Sequence, residues 1–188
     1  MACLTKIQSA ITYDCDGGNV GLISALLINK EDIATIVFDS TNPALVTTIT
    51  LKEGATAYKI DTVKRTLVTT EALKVNEGAP NAYTHTATAV VTGAVASALF
   101  RDLINPVANG SFVILTRALK SAGSTLIGDT ARPFGLYYGM SATAVDRSSH
   151  ENGGWYTITM ATPERVIGED ALTLSIGNYD TLYGAAVG

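Results

Sequence analysis

The feature that most constrains the fold is a series of short strand-like segments separated by only a few turn residues. The segments are PALVTTITL (43–51), ATAYKI (55–60) and VKRTLVTT (63–70), and they are interrupted only by KEG and DT. Short strands at this spacing are typical of sandwiches and barrels rather than of alternating β-α units. The pattern therefore predicts a mainly β fold, a single-domain antiparallel β-sandwich or barrel over residues 1–188.

One segment changes from the period of a strand to the period of a helix. After the strand-like YTHTATAVV (83–91), the apolar residues Val95, Leu99 and Leu103 recur at the spacing of one helix face. Such a face normally packs on a sheet. We therefore predict one flanking α-helix at about 92–105.

The second half of the chain gives further expectations. GSFVILTRAL (110–119) predicts a strand with too many apolar residues for a solvated face, and SAGSTLIGDTARP (121–133) predicts a loop. FGLYYGMSATAVD (134–146) and WYTITMAT (155–162) predict a pair of strands joined by RSSHENGG. EDALTLSIGNYDTLYGAAVG (169–188) predicts one further strand and a glycine-rich tail.

Composition limits the classes of function. The formal net charge is -4, and only 16% of the residues are charged, which is below the usual quarter. Neutralising phosphates requires a net basic face, so the composition argues against general nucleic-acid binding. Because the centres of buried interfaces are depleted of charged residues, the low charge hints at assembly with identical neighbours.

The positive charges are concentrated in one segment. Between residues 52 and 65, four bases stand against Glu53 and Asp61. Two interpretations remain open: these side chains are solvated, or they contact complementary surfaces on other copies of the chain. The candidate interface residues of this segment are Lys52, Lys59, Lys64 and Arg65.

The sequence carries none of the common catalytic or ligand-binding motifs. It has no GxSxG elbow, no glycine-rich phosphate loop and no HExxH, and its histidines are His85 and His150. Cys3 and Cys15 lack nearby histidines for a zinc site and lack the CxxC spacing, so reduced structural cysteines are expected, as in a protein made in a cytoplasm. We expect no enzyme activity, no cofactor and no metal.

His150 and Glu151 need a separate interpretation, because a histidine beside a carboxylate resembles the edge of an active site. They precede two glycines that can close a hairpin, and the sequence supplies no nucleophile or metal set to work with them. We interpret this stretch as a polar hairpin tip.

The strand after this tip has two different faces. Tyr156, Ile158 and Met160 share the predicted core face, whereas Trp155 begins the more polar face. Tryptophan is enriched at the centres of interfaces, so Trp155 is a candidate contact with a neighbouring chain. The alternative is that Trp155 packs on its own sheet edge.

No targeting or membrane segment is expected. The apolar stretch GLISALLI (21–28) is too short to span a bilayer. The uncharged run at 79–100 is about long enough, but Pro80, Asn81 and His85 favour a strand followed by a helix.

These features resemble the tail tube proteins of bacteriophages. The similarity lies in a single β-sandwich or barrel with one flanking helix, an acidic and charge-poor composition, an early strand-rich segment and the late strand GWYTITMATPE (154–164). Proteins of that family form rings, usually hexamers, whose sheets join into a continuous inner barrel, and the rings stack into a tube. Loops and a long hairpin contact the next ring.

The resemblance implies a structural virion protein of the phage tail, synthesised in a bacterial cytoplasm, that assembles with itself and with other virion proteins. It implies DNA only as passing cargo, because a negatively charged lumen raises the cost of contact with DNA. It also implies a possible extended hairpin at about 44–70, whose bases would meet an acidic patch on a neighbouring ring.

Two alternatives remain open. The Thr/Ala-rich strand before the predicted helix suits a neck-ring or head-decoration protein equally well. The other class is a carbohydrate- or cell-surface-binding β-sandwich, in which loop aromatics would stack on sugar rings; the candidates are Tyr137, Tyr138, Trp155 and Tyr179.

Overall fold

The computed structural model describes residues 18–60, 67–91, 105–122, 125–147 and 155–187. The mainly β prediction is confirmed, since most of these residues belong to two sheets. The strands are β1 Gly18–Asn29, β2 Ile33–Phe38, β3 Leu45–Leu51, β4 Tyr58–Lys59, β5 Val68–Lys74, β6 Ala82–Val91, β7 Phe112–Ala122, β8 Thr125–Phe134, β9 Ser141–Arg147, β10 Tyr156–Ala161 and β11 Thr173–Leu174, and a helix follows at Ile176–Ala185.

Seven strands form one sheet and four form the other. The order of the larger sheet is β2-β3-β11-β8-β7-β1-β4, and the order of the smaller sheet is β5-β6-β10-β9. Strand neighbours pair antiparallel except β3 and β11, which are parallel. Residues from both sheets share one hydrophobic core, so the two sheets pack face to face as a sandwich.

The larger sheet must be strongly curved, because a short connection joins two strands that are far apart in its order. Five strand-to-strand steps separate β1 from β2, which is about 24 Å in a flat sheet at about 4.8 Å per step. Only the 3₁₀ turn Lys30–Asp32 connects them, and the chain can advance at most about 14 Å from Asn29 to Ile33. The larger sheet therefore rolls toward a barrel.

The interior strand β7 is buried on both faces. Val113 and Leu115 point into the rolled sheet, where Tyr179 of the helix joins them. Phe112 and Ile114, on the other face, pack against the smaller sheet. This arrangement confirms the prediction of a strand with too many apolar residues for a solvated face.

One face of the smaller sheet packs against Phe112 and Ile114, in the core between the two sheets. Ile158 and Met160 of β10 and Ala87 of β6 are buried there, which confirms the predicted core face of β10 for these two residues. The predicted pairing of the two late strands is also confirmed, since β9 and β10 are antiparallel neighbours. The hairpin tip that contains His150 and Glu151 lies outside the described residues.

The predicted loop at 121–133 is wrong. Residues 121–122 end β7 and residues 125–134 form β8, which pairs with β7 up to Ile114 and Phe134. β8 tolerates Pro133 because β11, its neighbour on the side away from β7, pairs with β8 only at Ala131. The predicted strand at 134–146 is also interrupted, by a turn at 135–139 that precedes β9.

The predicted strand and glycine-rich tail at 169–188 are largely replaced by a helix. The strand β11 has two residues, and Ile176–Ala185 follows as a helix. Tyr179 and Leu182 are its buried residues, one turn apart. The helix was missed because Gly177 and Gly184 lie within it, and because packing rather than helix propensity stabilises such a segment.

Two predictions concern residues that the structure describes only in part. The predicted helix at about 92–105 lies outside the described residues except for its last position, and residues 105–109 are helical. The extended hairpin at about 44–70 is not formed by the described strands, because β3 pairs with β2 and β11 whereas β5 pairs with β6 in the other sheet. The hairpin that the resemblance implied is therefore replaced, among the described strands, by pairing with strands that are distant in the sequence.

Candidate functional site

The outward face of the smaller sheet is a continuous surface built from four strands. The strand registers place Thr86 beside Thr70, and Thr88 beside both Val68 and Thr159. Because side chains alternate along a strand, these residues lie opposite the core-facing positions. We call this surface the threonine face, and its members are Val68, Thr70, Ala72, Thr84, Thr86, Thr88, Val90, Ser141, Ala144, Asp146, Thr157, Thr159 and Ala161.

The threonine face is almost uncharged. Its charged residues are Asp146 on β9 and Lys74, which follows Ala72 on the same side of β5 and donates to the main-chain carbonyls of Glu164 and Val166. The hydroxyls of Thr88 and Thr159 lie 3.3 Å apart across the strands. The face is therefore a flat layer of hydroxyl and methyl groups between one acid and one base.

The two terminal strands of this sheet are edges. β5 and β9 each have one neighbour, β6 and β10 respectively, among the residues that the structure describes. An edge strand presents a row of main-chain donors and acceptors that can pair with another chain unless it is protected. β5 contains no proline, and its Val68 side chain is 57% exposed. The smaller sheet thus combines an uncharged face with two edges that can accept further strands.

The acid of β5 points inward and fastens this edge strand to the larger sheet. Arg132 of β8 donates to the Oε2 atom of Glu71 over 3.1 Å. The Glu71 side chain is mostly buried, whereas Arg132 is partly exposed. Because the pair joins strands of different sheets, it holds β5 in a fixed position across the sandwich.

His85 completes this polar cluster in the core. The main-chain N–H of Gly135 donates to its Nδ1 atom over 3.1 Å, and Phe134 packs edge-on against the ring. Its Nε2 atom lies 3.7 Å from the Oε1 atom of Glu71, and both of these atoms are buried without a hydrogen-bond partner. Burial, with the positive charge of Arg132 added, lowers the pKa of His85 to about 4. His85 is therefore neutral near pH 7 and accepts a hydrogen bond.

A second buried acid organises the turn between β8 and β9. The carboxylate of Glu169 accepts hydrogen bonds of 2.8 Å from the main-chain N–H groups of Tyr137 and Tyr138. Burial raises the pKa of Glu169, and these two hydrogen bonds and the charge of Lys30 act in the opposite direction. Both oxygens are used by the main chain, so Glu169 is a structural residue.

The described members of the predicted interface set, Lys52, Lys59 and Trp155, lie at separate elements. Lys52 is exposed just after β3, and Lys59 lies on β4 with its ammonium 4.7 Å from the ring centre of Tyr183. Trp155 is half-buried immediately before β10, in the other sheet. Lys64 and Arg65 lie outside the described residues, so their role as an interface stays a prediction.

The aromatic residues that would stack on sugars are also dispersed. Tyr179 is fully buried, and its hydroxyl is 2.8 Å from the Ser24 hydroxyl. Tyr137 is half-buried and stacks on Phe38, whereas Tyr138 is exposed. A fully buried tyrosine cannot contact a sugar ring, so this set does not form a carbohydrate platform.

The sequence contained a signal for the threonine face that the sequence analysis did not use. The run THTAT (84–88) alternates threonine with core residues, and Thr157 and Thr159 do the same on β10. The Thr/Ala content of the first strand was noted, but its alignment with the second strand depends on their pairing. Only the register shows that these residues form one surface.

The described residues contain neither a cluster of metal ligands nor a helix that could span a membrane. Among them, no group of three or more His, Cys, Asp or Glu side chains could hold a metal ion. None of the described helices is long and apolar enough to span a membrane. Comparisons of the chain with protein-family models, with curated proteins and with solved structures found no match in any of the three.

Proposed function

We propose that this chain is a structural, non-enzymatic virion protein that assembles into rings, and that the rings stack into a phage tail tube through which DNA passes. One observation carries the proposal: a single four-stranded sheet has both an almost uncharged outward face and two edge strands. Pairing β5 of one copy with β9 of the next uses different edges, and such head-to-tail contacts generate rings when the rotation between successive copies closes.

The dimensions of such a ring suit the proposed cargo. Six copies, the number usual in the family that the sequence resembles, would join their four-stranded sheets into a barrel of about 24 strands. With a strand spacing of about 4.8 Å and a tilt of about 40°, its main-chain diameter would be about 50 Å. Side chains would narrow the opening, but a DNA duplex would still pass.

The chemistry of the threonine face suits a lumen. Nonspecific DNA binding depends on lysine and arginine contacts with phosphates. The one base at this surface, Lys74, is already bound to two main-chain carbonyls, so the face provides few such contacts, and its hydroxyl groups remain hydrated. DNA would therefore slide along the face without being retained. A neck-ring protein would use the same edges, and the microscopy described in the Discussion separates a single ring from a stacked tube.

A pair of lysine substitutions tests the assembly edge. Val68 on β5 is 57% exposed, and Val37 on β2, the edge of the larger sheet, is 50% exposed. Charged side chains on edge strands, lysine above all, are a device by which natural sheets prevent pairing with further strands. We expect Val68→Lys to abolish rings in sedimentation velocity and light scattering, and Val37→Lys to leave them intact.

Both variants should melt within a few degrees of the unmodified chain, because each change is at an exposed position. Equal assembly by Val68→Lys and the unmodified chain would contradict the use of β5 as an assembly edge.

A further inference from the structure

The edge of the larger sheet at β4 is covered by two residues that follow the helix. Val187 pairs in parallel with Tyr58 of β4. Its N–H donates to the carbonyl of Ala57 over 3.0 Å, and its carbonyl accepts from the N–H of Lys59 over 2.9 Å. We call residues 186–187 the edge cap.

The edge cap satisfies main-chain groups that would otherwise form an open edge. Ile60 donates to Ala25 of β1, on the inner side of β4. Because main-chain groups alternate sides along a strand, the carbonyl of Ala57 and the N–H of Lys59 point the other way. Val187 forms hydrogen bonds with both of these groups, so the edge of β4 can pair with an added strand.

The contact does not depend on which copy supplies the cap. Tyr58 is 46% exposed and Val187 is 58% exposed, so little side-chain burial accompanies the two main-chain hydrogen bonds. Ala186 has already left the helix and has an extended main chain. The helix itself stays attached through Tyr183, whose ring lies under the Lys59 ammonium. Exchange would therefore require movement of the residues that follow Tyr183, while the rest of the helix stays in place.

We propose that the β4 edge is an interface between copies of this chain, in which the edge cap of one copy replaces that of its neighbour. The segment that fits the site within one chain fits the same site on an identical chain, which is the basis of segment exchange between protomers. This inference rests on the proposed self-assembly, but it uses an edge of the larger sheet rather than β5 and β9.

Disulfide trapping tests the exchange in a Cys3→Ser, Cys15→Ser background. Neighbouring strands are about 4.8 Å apart, which lies within the Cα separations that a disulfide can bridge. A Tyr58→Cys chain is mixed with a size-tagged Val187→Cys chain, assembled and then oxidised. A parallel mixture pairs Tyr58→Cys with tagged Val37→Cys, an exposed position on the opposite edge. The double variant Tyr58→Cys, Val187→Cys reports closure within one chain.

We expect the first mixture to give a mixed disulfide dimer whose yield rises with assembly, several-fold above the control mixture. Closure of the double variant together with no mixed dimer above the control would overturn the inference, and so would failure of the double variant to close. Rings without the mixed dimer would remove this inference and leave the proposed function. A mixed dimer without rings would support the exchange of edge caps and contradict the proposed function.

Discussion

The main-chain N–H of Gly135 donates a hydrogen bond to the Nδ1 atom of His85, and this contact fixes the imidazole as an acceptor in the core. In a protonated imidazole the Nδ1 atom also carries a hydrogen, so it could not accept the hydrogen bond from Gly135. The turn after β8 is therefore compatible only with neutral His85, which links the stability of the fold to pH.

The first prediction concerns this pH dependence. The pKa of His85 falls from an ordinary 6.5 to about 4 on folding, so between these values the unfolded chain binds a proton that the folded chain does not. The contribution of His85 therefore lowers the free energy of unfolding as the pH falls from 6.5 to 4, by up to about 3 kcal/mol. Urea unfolding at several pH values across this window measures the slope.

The His85→Asn variant is the matched control. Asparagine can place an acceptor oxygen near the Nδ1 position but does not titrate. We expect it to be less stable at pH 7, because it loses the ring contact with Phe134, and to show a flatter slope between pH 6.5 and 4. An identical slope in the variant and the unmodified chain would show that another group sets the pH dependence.

A second prediction concerns the acid beneath the turn. Glu169→Gln replaces one acceptor oxygen by an amide that cannot accept from the N–H groups of Tyr137 and Tyr138. Leaving one of these buried donors unsatisfied should lower the free energy of unfolding by about 1–3 kcal/mol. Asp170→Asn, at the exposed neighbouring position, should change it by no more than about 0.5 kcal/mol. Chemical denaturation measures both values, and an equal loss in the free energy of unfolding for the two variants would rule out a specific role for Glu169.

A third prediction concerns the basic segment that the sequence analysis identified. The double variant Lys64→Glu, Arg65→Glu should impair stacking of rings while leaving the fold intact, because the sequence predicts surface positions for both bases and surface charges contribute little to stability. Arg165→Glu, an exposed base outside the segment, controls for charge reversal. Tube length in electron micrographs measures stacking, and a melting curve for each variant checks the fold. Tubes of unchanged length in the double variant would contradict a role of Lys64 and Arg65 in stacking.

The sequence predicted those features that depend on local pattern. The strand character of β3, β6, β7 and β10 and the core position of Ile158 and Met160 follow from strand-like composition and alternation. The helix at Ile176–Ala185 did not follow, because its stability comes from the burial of Tyr179 in the rolled sheet. No local sequence pattern predicts the contact between Tyr179 and the rolled sheet.

The candidate site was predictable only in part for the same reason. Glu71, His85 and Arg132 lie on three strands from two sheets, and neither composition nor spacing brings them together. The threonine face likewise requires the register of Thr88 with Thr159. Alternation identifies the face of each strand, but pairing decides which faces combine.

Negative-stain electron microscopy of the purified, unmodified chain over a concentration series tests the central claim most directly, with light scattering on the same samples. The proposed edge pairing of β5 and β9 predicts rings with a central opening, and stacked tubes as the concentration rises. A stable monomer at every concentration, particularly one that binds a glycan array, would contradict the account.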